Sequence, residues 1–391
     1  MKNLFEVFWV FLRLGCTSFG GPVAHLSYFH DEFVNRRKWI EEHAYADLVA
    51  LCQFLPGPAS SQVGIALGLN RGGILGALAA WLGFTLPSAI LLILFGLGIS
   101  DFAVSADIGW LHALKVIAVA VVAQAIWGMS VKLCPDKERI TMAGLSCVLV
   151  SLLPGGWMQV GVIVLGGLAG ILFLRKIPTL PSRPLDIRLS KKWGAFFLTL
   201  LVGLLFGLPI VAAALNSSSL KMFDGFFRAG ALVFGGGHVV LPLLQAQVVP
   251  TGLVSNNLFM AGYGAAQAVP GPLFTFTSYL GAVSSQAPNG WSGGLLCLCA
   301  AFLPAFLLVF GTLPYWEKLR DFKNMRYAML GVNASVVGIL LGAFYHPVWT
   351  SGIVSAKDFC LAIAAFVALV FWRAPSWSVV LAGAVLGALF W

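Results

Sequence analysis

Two stretches of this chain, 78–99 and 195–219, contain no charged residue. A helix that spans a bilayer needs roughly 20 predominantly apolar residues in a row. Lipid offers no partner to an unpaired peptide group, so only helices and closed barrels can cross it, and apolar runs of this length select the helix. The pattern covers the whole chain: of 391 residues, 59% are hydrophobic and 10% charged, against about 25% charged in a soluble domain. An all-α polytopic membrane protein is predicted. The net charge of +9 would suggest nucleic acid in a soluble protein. Here Lys and Arg fall mostly between apolar runs, as the positive-inside rule predicts, and no nucleic-acid partner is expected. The seven cysteines lie mainly in apolar runs without CxxC or Cys/His ligand spacing; they read as reduced packing residues. Residues 1–20 lack a charged region followed by a small-residue cleavage site, and the run carries Arg13, so no cleaved signal peptide is expected.

Breaks between apolar runs define thirteen candidate segments, near 4–34, 44–69, 72–99, 106–131, 140–153, 157–174, 193–215, 222–249, 256–284, 291–313, 325–344, 357–372 and 376–391. The pairs 140–153/157–174 and 357–372/376–391 are short enough to form helical hairpins instead of full crossings. If all thirteen cross with the N-terminus in the cytoplasm, most Lys and Arg lie on that side and the C-terminus is periplasmic. One loop objects: Arg36, Arg37 and Lys38 fall on the wrong side.

The chain also repeats itself. FLRLGCTSFGG at 11–21 is answered by FFRAGALVFGG at 226–236, with Arg13 and Arg228, Gly20 and Gly235, and Gly21 and Gly236 each 215 positions apart. QFLPGP at 53–58 is answered by QAVPGP at 267–272, 214 apart, and FTLPS at 84–88 by AFLPA at 301–305. A Pro-rich basic linker and an unpaired helix at 193–215 separate the copies. One extra crossing makes the second copy enter from the opposite side. The expected architecture is two inverted-topology repeats of about six segments, 1–174 and 222–391, joined by a linker plus connecting helix at 175–221.

Within each copy, Gly and Pro interrupt apolar helices: Gly20-Gly21-Pro22 and Pro56-Gly57-Pro58 in the first, Gly235-Gly236-Gly237 and Pro270-Gly271-Pro272 in the second. Such breaks free backbone groups, which lipid does not tolerate unless protein or a watery cavity takes them over. Single breaks are common kinks in membrane helices; four at matching places point to a shared central cavity. A broken helix exposes an N-terminus whose N–H groups and dipole favour an anion. Ala59, Ser60, Ser61 and Gln62 follow the first PGP, with hydroxyl and amide donors in the first turn, and Ser18 stands before the first glycine pair; Leu273 and Phe274 follow the second PGP, so the copies need not contribute equally. Arg13 and Arg228 lie within apolar segments, where a charge costs about 2.5–3.5 kcal/mol at mid-helix. Each can fork two oxyanion oxygens, snorkel, or pair with an acid such as Asp224, four residues before Arg228. His25 and His238 follow equivalent breaks, and Gln53 and Gln267 precede the PGP motifs. All are candidate donors to an anion, or ordinary hydrogen-bonded residues. No phosphate-binding loop, metal-ligand cluster or catalytic constellation is visible; no cofactor, metal or enzymatic activity is expected.

SFGGPVAHL (18–26), DEFVNRRKWI (31–40), LCQFLPGPASSQVG (51–64), FGGGHVVLPLL (234–244) and AQAVPGP (266–272) together resemble the chromate ion transporter family in its long two-domain form. The resemblance covers both halves. It implies efflux of chromate from the bacterial cytoplasm across the inner membrane and resistance to chromate, with sulfate as a related tetrahedral dianion. The matching family positions are Arg13, Gly20, Gly21, Pro22, His25, Gln53, Pro56, Gly57, Pro58, Gly235, Gly236, Gly237, His238, Pro270, Gly271 and Pro272. A sulfate importer of the same fold and a non-transporting membrane assembly protein stay open as rivals, and a homodimer is allowed.

Overall fold

A computed structural model describes residues 2–102, 109–153, 155–175, 189–234, 237–316 and 322–390. Gly235 and Gly236, most of the basic linker (176–188) and the start of segment 106–131 lie outside the described residues. Every regular element described is helical: α1 Lys2–Thr17, α2 Gly21–His30, α3 Glu42–Phe54, α4 Ala59–Phe102, α5 Gly109–Leu133, α6 Lys137–Leu152, α7 Gly156–Phe173, α8 Lys191–Ala214, α9 Ser218–Ala231, α10 Val240–Val248, α11 Asn256–Ala266, α12 Phe276–Ala282, α13 Gly290–Thr312, α14 Lys323–Ala343, α15 Ala356–Val370 and α16 Ser376–Phe390. The seven cysteines are free.

Among the described residues five helical stretches, not thirteen, are long and apolar enough to span a bilayer: Ala59–Ile99, Gly109–Leu133, Lys191–Ala214, Gly290–Tyr315 and Lys323–Gly352. The protein is a multi-pass membrane protein, but the segments at 4–34, 44–69, 222–249 and 256–284 do not run straight through. Each is broken at its Gly/Pro motif and folds back. Arg37, after α2, and Arg71, at the end of the first arm of α4, both reach Glu6 near the start of α1, at 2.9 and 3.5 Å. His30 at the end of α2 meets Glu42 at the start of α3 at 2.7 Å. The outer ends of α1, α2, α3 and this arm therefore lie together, and the breaks form the inner tips. The chain reverses again at Gly72 and Gly73, where Gly73 takes φ 64°. In the second half, Gly225 of α9 abuts Gln247 of α10, Tyr279 donates to the Leu258 carbonyl, and the Ser285 amide to that of Leu253. The same pair of hairpins results. Arg36–Lys38 thus share an end with Arg71.

Glycines let the arms touch. A Cβ on Gly68 would lie 2.4 Å from the Gly76 carbonyl oxygen, and one on Gly281 would lie 2.1 Å from that of Gly293. These two approaches occupy matching places in the two halves. Each half also lends its terminal helices to the other: α6 and α7 pack on α14, and α15 and α16 pack on α5. Helix α13 is the most enclosed span, 78% buried, whereas α8 is only 11% buried and rides on the rim.

Candidate functional site

The inner tips of the two halves meet. The Gly57 amide donates to the Val233 carbonyl at 2.6 Å, and the Gly271 amide to the Ser18 carbonyl at 2.9 Å. Each PGP loop thus satisfies a carbonyl freed by the opposite half's helix break. Gly57 and Gly271 take φ 118° and 100°, a region nearly closed to residues with a Cβ, which is why glycine stands between the prolines. Gly20 and Gly21 do likewise, at φ 100° and 77°. Pro22 lies within 3.5 Å of where a Gly237 Cβ would sit, so the glycine-rich breaks also adjoin.

The first-half tip is polar and enclosed. The first arm of α4 starts at Ala59 after Pro58, presenting its N-terminal turn to the junction. His25 Nδ1 lies 3.3 Å from Ser60 Oγ, and the His25 ring stands edge-on to Phe84. Gln62 donates to the Pro56 carbonyl at 2.7 Å, which stabilises the loop. Yet among the described residues Ser18 Oγ, His25 Nε2, Ser61 Oγ, Gln62 Oε1 and Thr85 Oγ1 have no hydrogen-bond partner, although these five residues are 0–3% exposed. Leaving a buried polar group unpaired costs about 1–3 kcal/mol, and native interiors rarely collect several in one place. Such a cluster at a helix N-terminus has the chemistry of an oxyanion cradle: hydroxyl, imidazole and backbone donors under a positive dipole end.

The second-half tip is built differently. Thr275, Thr277 and Ser278 donate to the carbonyls of Pro272, Phe274 and Thr275, each at 2.7 Å. His238 Nδ1 meets Tyr263 Oη at 2.8 Å. Helix α12 has seven residues. The hydroxyls here are already occupied, and Gln267 Nε2 is the unpartnered group of this side.

Of the residues singled out from sequence, the structure brings Ser18, Pro22, His25, Pro56, Gly57, Ser60, Gly237 and Gly271 together at the junction. Gly20, Gly21, Pro58, Ser61, Pro270 and Pro272 adjoin them along the chain, while Gln53 is exposed on the last turn of α3. The arginines turn elsewhere. Arg13 pairs with Glu32 at 3.2 Å, its side chain 54% exposed, and Arg228 with Asp224 at 2.8 Å. Arg228 and Asp224 line a cavity of about 420 Å³ with Gln159 and Gln247. Thr85 was missed: it sits in the FTLPS motif, which marks the repeat but names no role. Gln62 was read from sequence only as a first-turn amide donor, whereas the structure turns its donor to the Pro56 carbonyl. Among the described residues no group of three His, Cys, Asp or Glu could hold a metal ion.

The sequence model of the chromate transporter family matches residues 5–171 and 220–388. A probable chromate transport protein of Synechococcus elongatus is 26% identical, over 97% of this chain and 94% of its own length. A chromate transport protein of Pseudomonas aeruginosa is 27% identical, over 86% and 79%. An uncharacterized transporter of Methanocaldococcus jannaschii is 26% identical, over 86% and 82%. No solved structure matches the chain.

Proposed function

This chain belongs to the chromate transporter family, a family of transporters rather than enzymes, and from that membership we propose that it exports a tetrahedral oxyanion, chromate, from the bacterial cytoplasm and so confers resistance. The observation that carries the reading is the cluster of buried, unpartnered polar groups at the first-half tip. The anion sits against the N-terminal turn at Ala59, with Ser18, Ser60, Ser61, Thr85 and His25 donating to it. Arg13 and Arg228, each held by an acid, supply positive potential along the approach instead of gripping the anion.

The halves, 1–174 and 222–391, are inverted repeats joined by 175–221, and one rocks against the other to alternate access. Matching glycine contacts, the exchange of terminal helices and the reciprocal tip bonds support a two-fold relation between them. The N-terminus faces the cytoplasm and the C-terminus the periplasm. The common end of Arg36–Lys38 and Arg71 supports this orientation by removing its one objection. An inside-negative potential drives anions outward, at about 2.3 kcal/mol per charge per 100 mV, so no coupling cation is required.

Flux of radiolabelled chromate and sulfate into inverted vesicles, under imposed potential and pH gradients, tests the reading. Potential-driven chromate accumulation is expected, and no flux of either anion would end it. Sulfate has the same shape, which keeps an importer of sulfate as the second reading; expression would then raise sulfate uptake and chromate sensitivity.

A further inference from the structure

The five unpartnered groups at the first tip are not all alike. Ser18, Ser61 and Thr85 carry hydroxyls, which can donate or accept, and a neutral His25 ring nitrogen can present either face. Gln62 Oε1 can only accept. Its identity as oxygen is fixed by the fold, because the other end of the amide, Nε2, donates to the Pro56 carbonyl. Nε2 also lies 2.8 Å from where a Gly57 Cβ would be, so the amide lies directly against the PGP loop. Gln62 is 0% exposed. A bare acceptor in this cradle opposes an anion whose oxygens are all acceptors, and suits one that still carries a hydroxyl.

We propose that Gln62 Oε1 makes this site selective for a monoprotonated tetrahedral oxyanion, hydrogen chromate, over fully ionised sulfate or selenate. This deepens the transport reading and rests on it. Chromate takes up a proton near neutrality, whereas sulfate and selenate stay unprotonated there, so one hydrogen bond separates anions of the same shape. A site with a buried acceptor rejects a ligand that cannot donate to it, because the acceptor is then left desolvated and unpaired. Of the elements around Gln62, α2 carries His25 and His30, and α3 carries Glu42, His43, Tyr45, Asp47 and Cys52, of which His25, Tyr45, Asp47 and Cys52 are buried. Arg13 on α1 is engaged by Glu32, α13 presents Ala305, and the second tip presents the Val233 carbonyl.

The test uses the whole protein in proteoliposomes. Chromate uptake is measured at about pH 6 and about pH 8, with selenate as competitor at both. The KM for total chromate is expected to rise roughly tenfold between them, following the hydrogen chromate fraction, and selenate to compete at least ~10-fold more weakly than chromate at the lower pH. Titration of His25 or Cys52 would change selenate competition in parallel, so selenate is the internal control. Selenate competing as well as chromate, or a chromate KM that holds or falls as pH rises, overturns the proposal. Equal transport of both anions leaves the transport reading standing, whereas absence of all oxyanion flux removes both. Gln62→Met keeps the side-chain length and deletes the acceptor. Its chromate-to-selenate preference is expected to collapse towards one, and an unchanged preference in the folded variant counts against the proposal. If that variant does not fold, the wild-type measurements decide alone.

Discussion

The Gly271 amide donates to the Ser18 carbonyl at 2.9 Å, joining residues 253 positions apart, and the Gly57 amide returns the bond to Val233 from the other half. Val233 stands 215 positions after Ser18 and Gly271 stands 214 after Gly57, so one bond is the repeat image of the other. One carbonyl beside each glycine-rich break is thereby satisfied by the PGP loop of the opposite half, which fastens the two halves to each other.

Gly57→Ala and Gly271→Ala each force a Cβ onto positive φ and against a neighbour, Gln62 Nε2 at 2.8 Å or Ser88 Oγ at 2.9 Å. Each should cost about 1–3 kcal/mol and lower transport at least ~10-fold. Gly203→Ala, with nothing within 4 Å, should be neutral. Thermal unfolding in detergent and vesicle flux check all three.

Ser61→Ala and Thr85→Ala remove hydroxyls that no protein group uses. Stability should hold or rise, while anion affinity falls by roughly tenfold for each donor lost. Thr275→Ala should show the reverse balance, since its hydroxyl is bound to the Pro272 carbonyl. Binding isotherms set beside melting curves separate the two outcomes.

Glu32 is 5% exposed and receives Arg13, Arg36 and Arg37 at 3.2, 3.2 and 2.6 Å. Glu32→Gln leaves three guanidinium groups without their common acid and should destabilise by about 3 kcal/mol. Glu6→Gln, at a carboxylate 36% exposed, should cost less. An equal drop in melting temperature for both variants would show that burial of the Glu32 hub carries no weight.

Asp136 lies between α5 and α6, where the hydrogen bond from Arg139 holds its carboxyl below the usual carboxylate range. A depressed folded-state pKa adds stability above the unfolded value and loses it as pH falls through the folded one. Asp136→Asn keeps a helix-capping side chain but not the charge. Its small stability deficit at neutral pH should shrink to nothing once the solution falls well below the ordinary aspartate value of 3.8, as read from melting curves across acidic buffers.

The membrane class, the repeat and the positions of all four breaks were legible in the residues, because each follows from local chemistry: apolar length, self-similarity, and Gly or Pro inside an apolar run. The crossing count was not. A run such as 44–69 reads as one span whether it continues or reverses at Pro56–Pro58, since hydropathy carries no direction. The arginines misled for a related reason. Their repeat equivalence was visible, but Glu32, the partner of Arg13, is 19 positions away and meets it only because α2 folds back beside α1.

Sequence alone therefore determined that this chain lives in lipid, is doubled, and breaks its helices at matched glycines and prolines. Tertiary structure decided that the breaks are tips of hairpins, that the tips of opposite halves complete each other's hydrogen bonds, and that Ser18, Ser61 and Thr85 keep their hydroxyls free at the first tip while Thr275, Thr277 and Ser278 at the second do not. The physical reason is that backbone satisfaction in an apolar medium is obligatory, while the partner that supplies it lies hundreds of residues away and has no local signature.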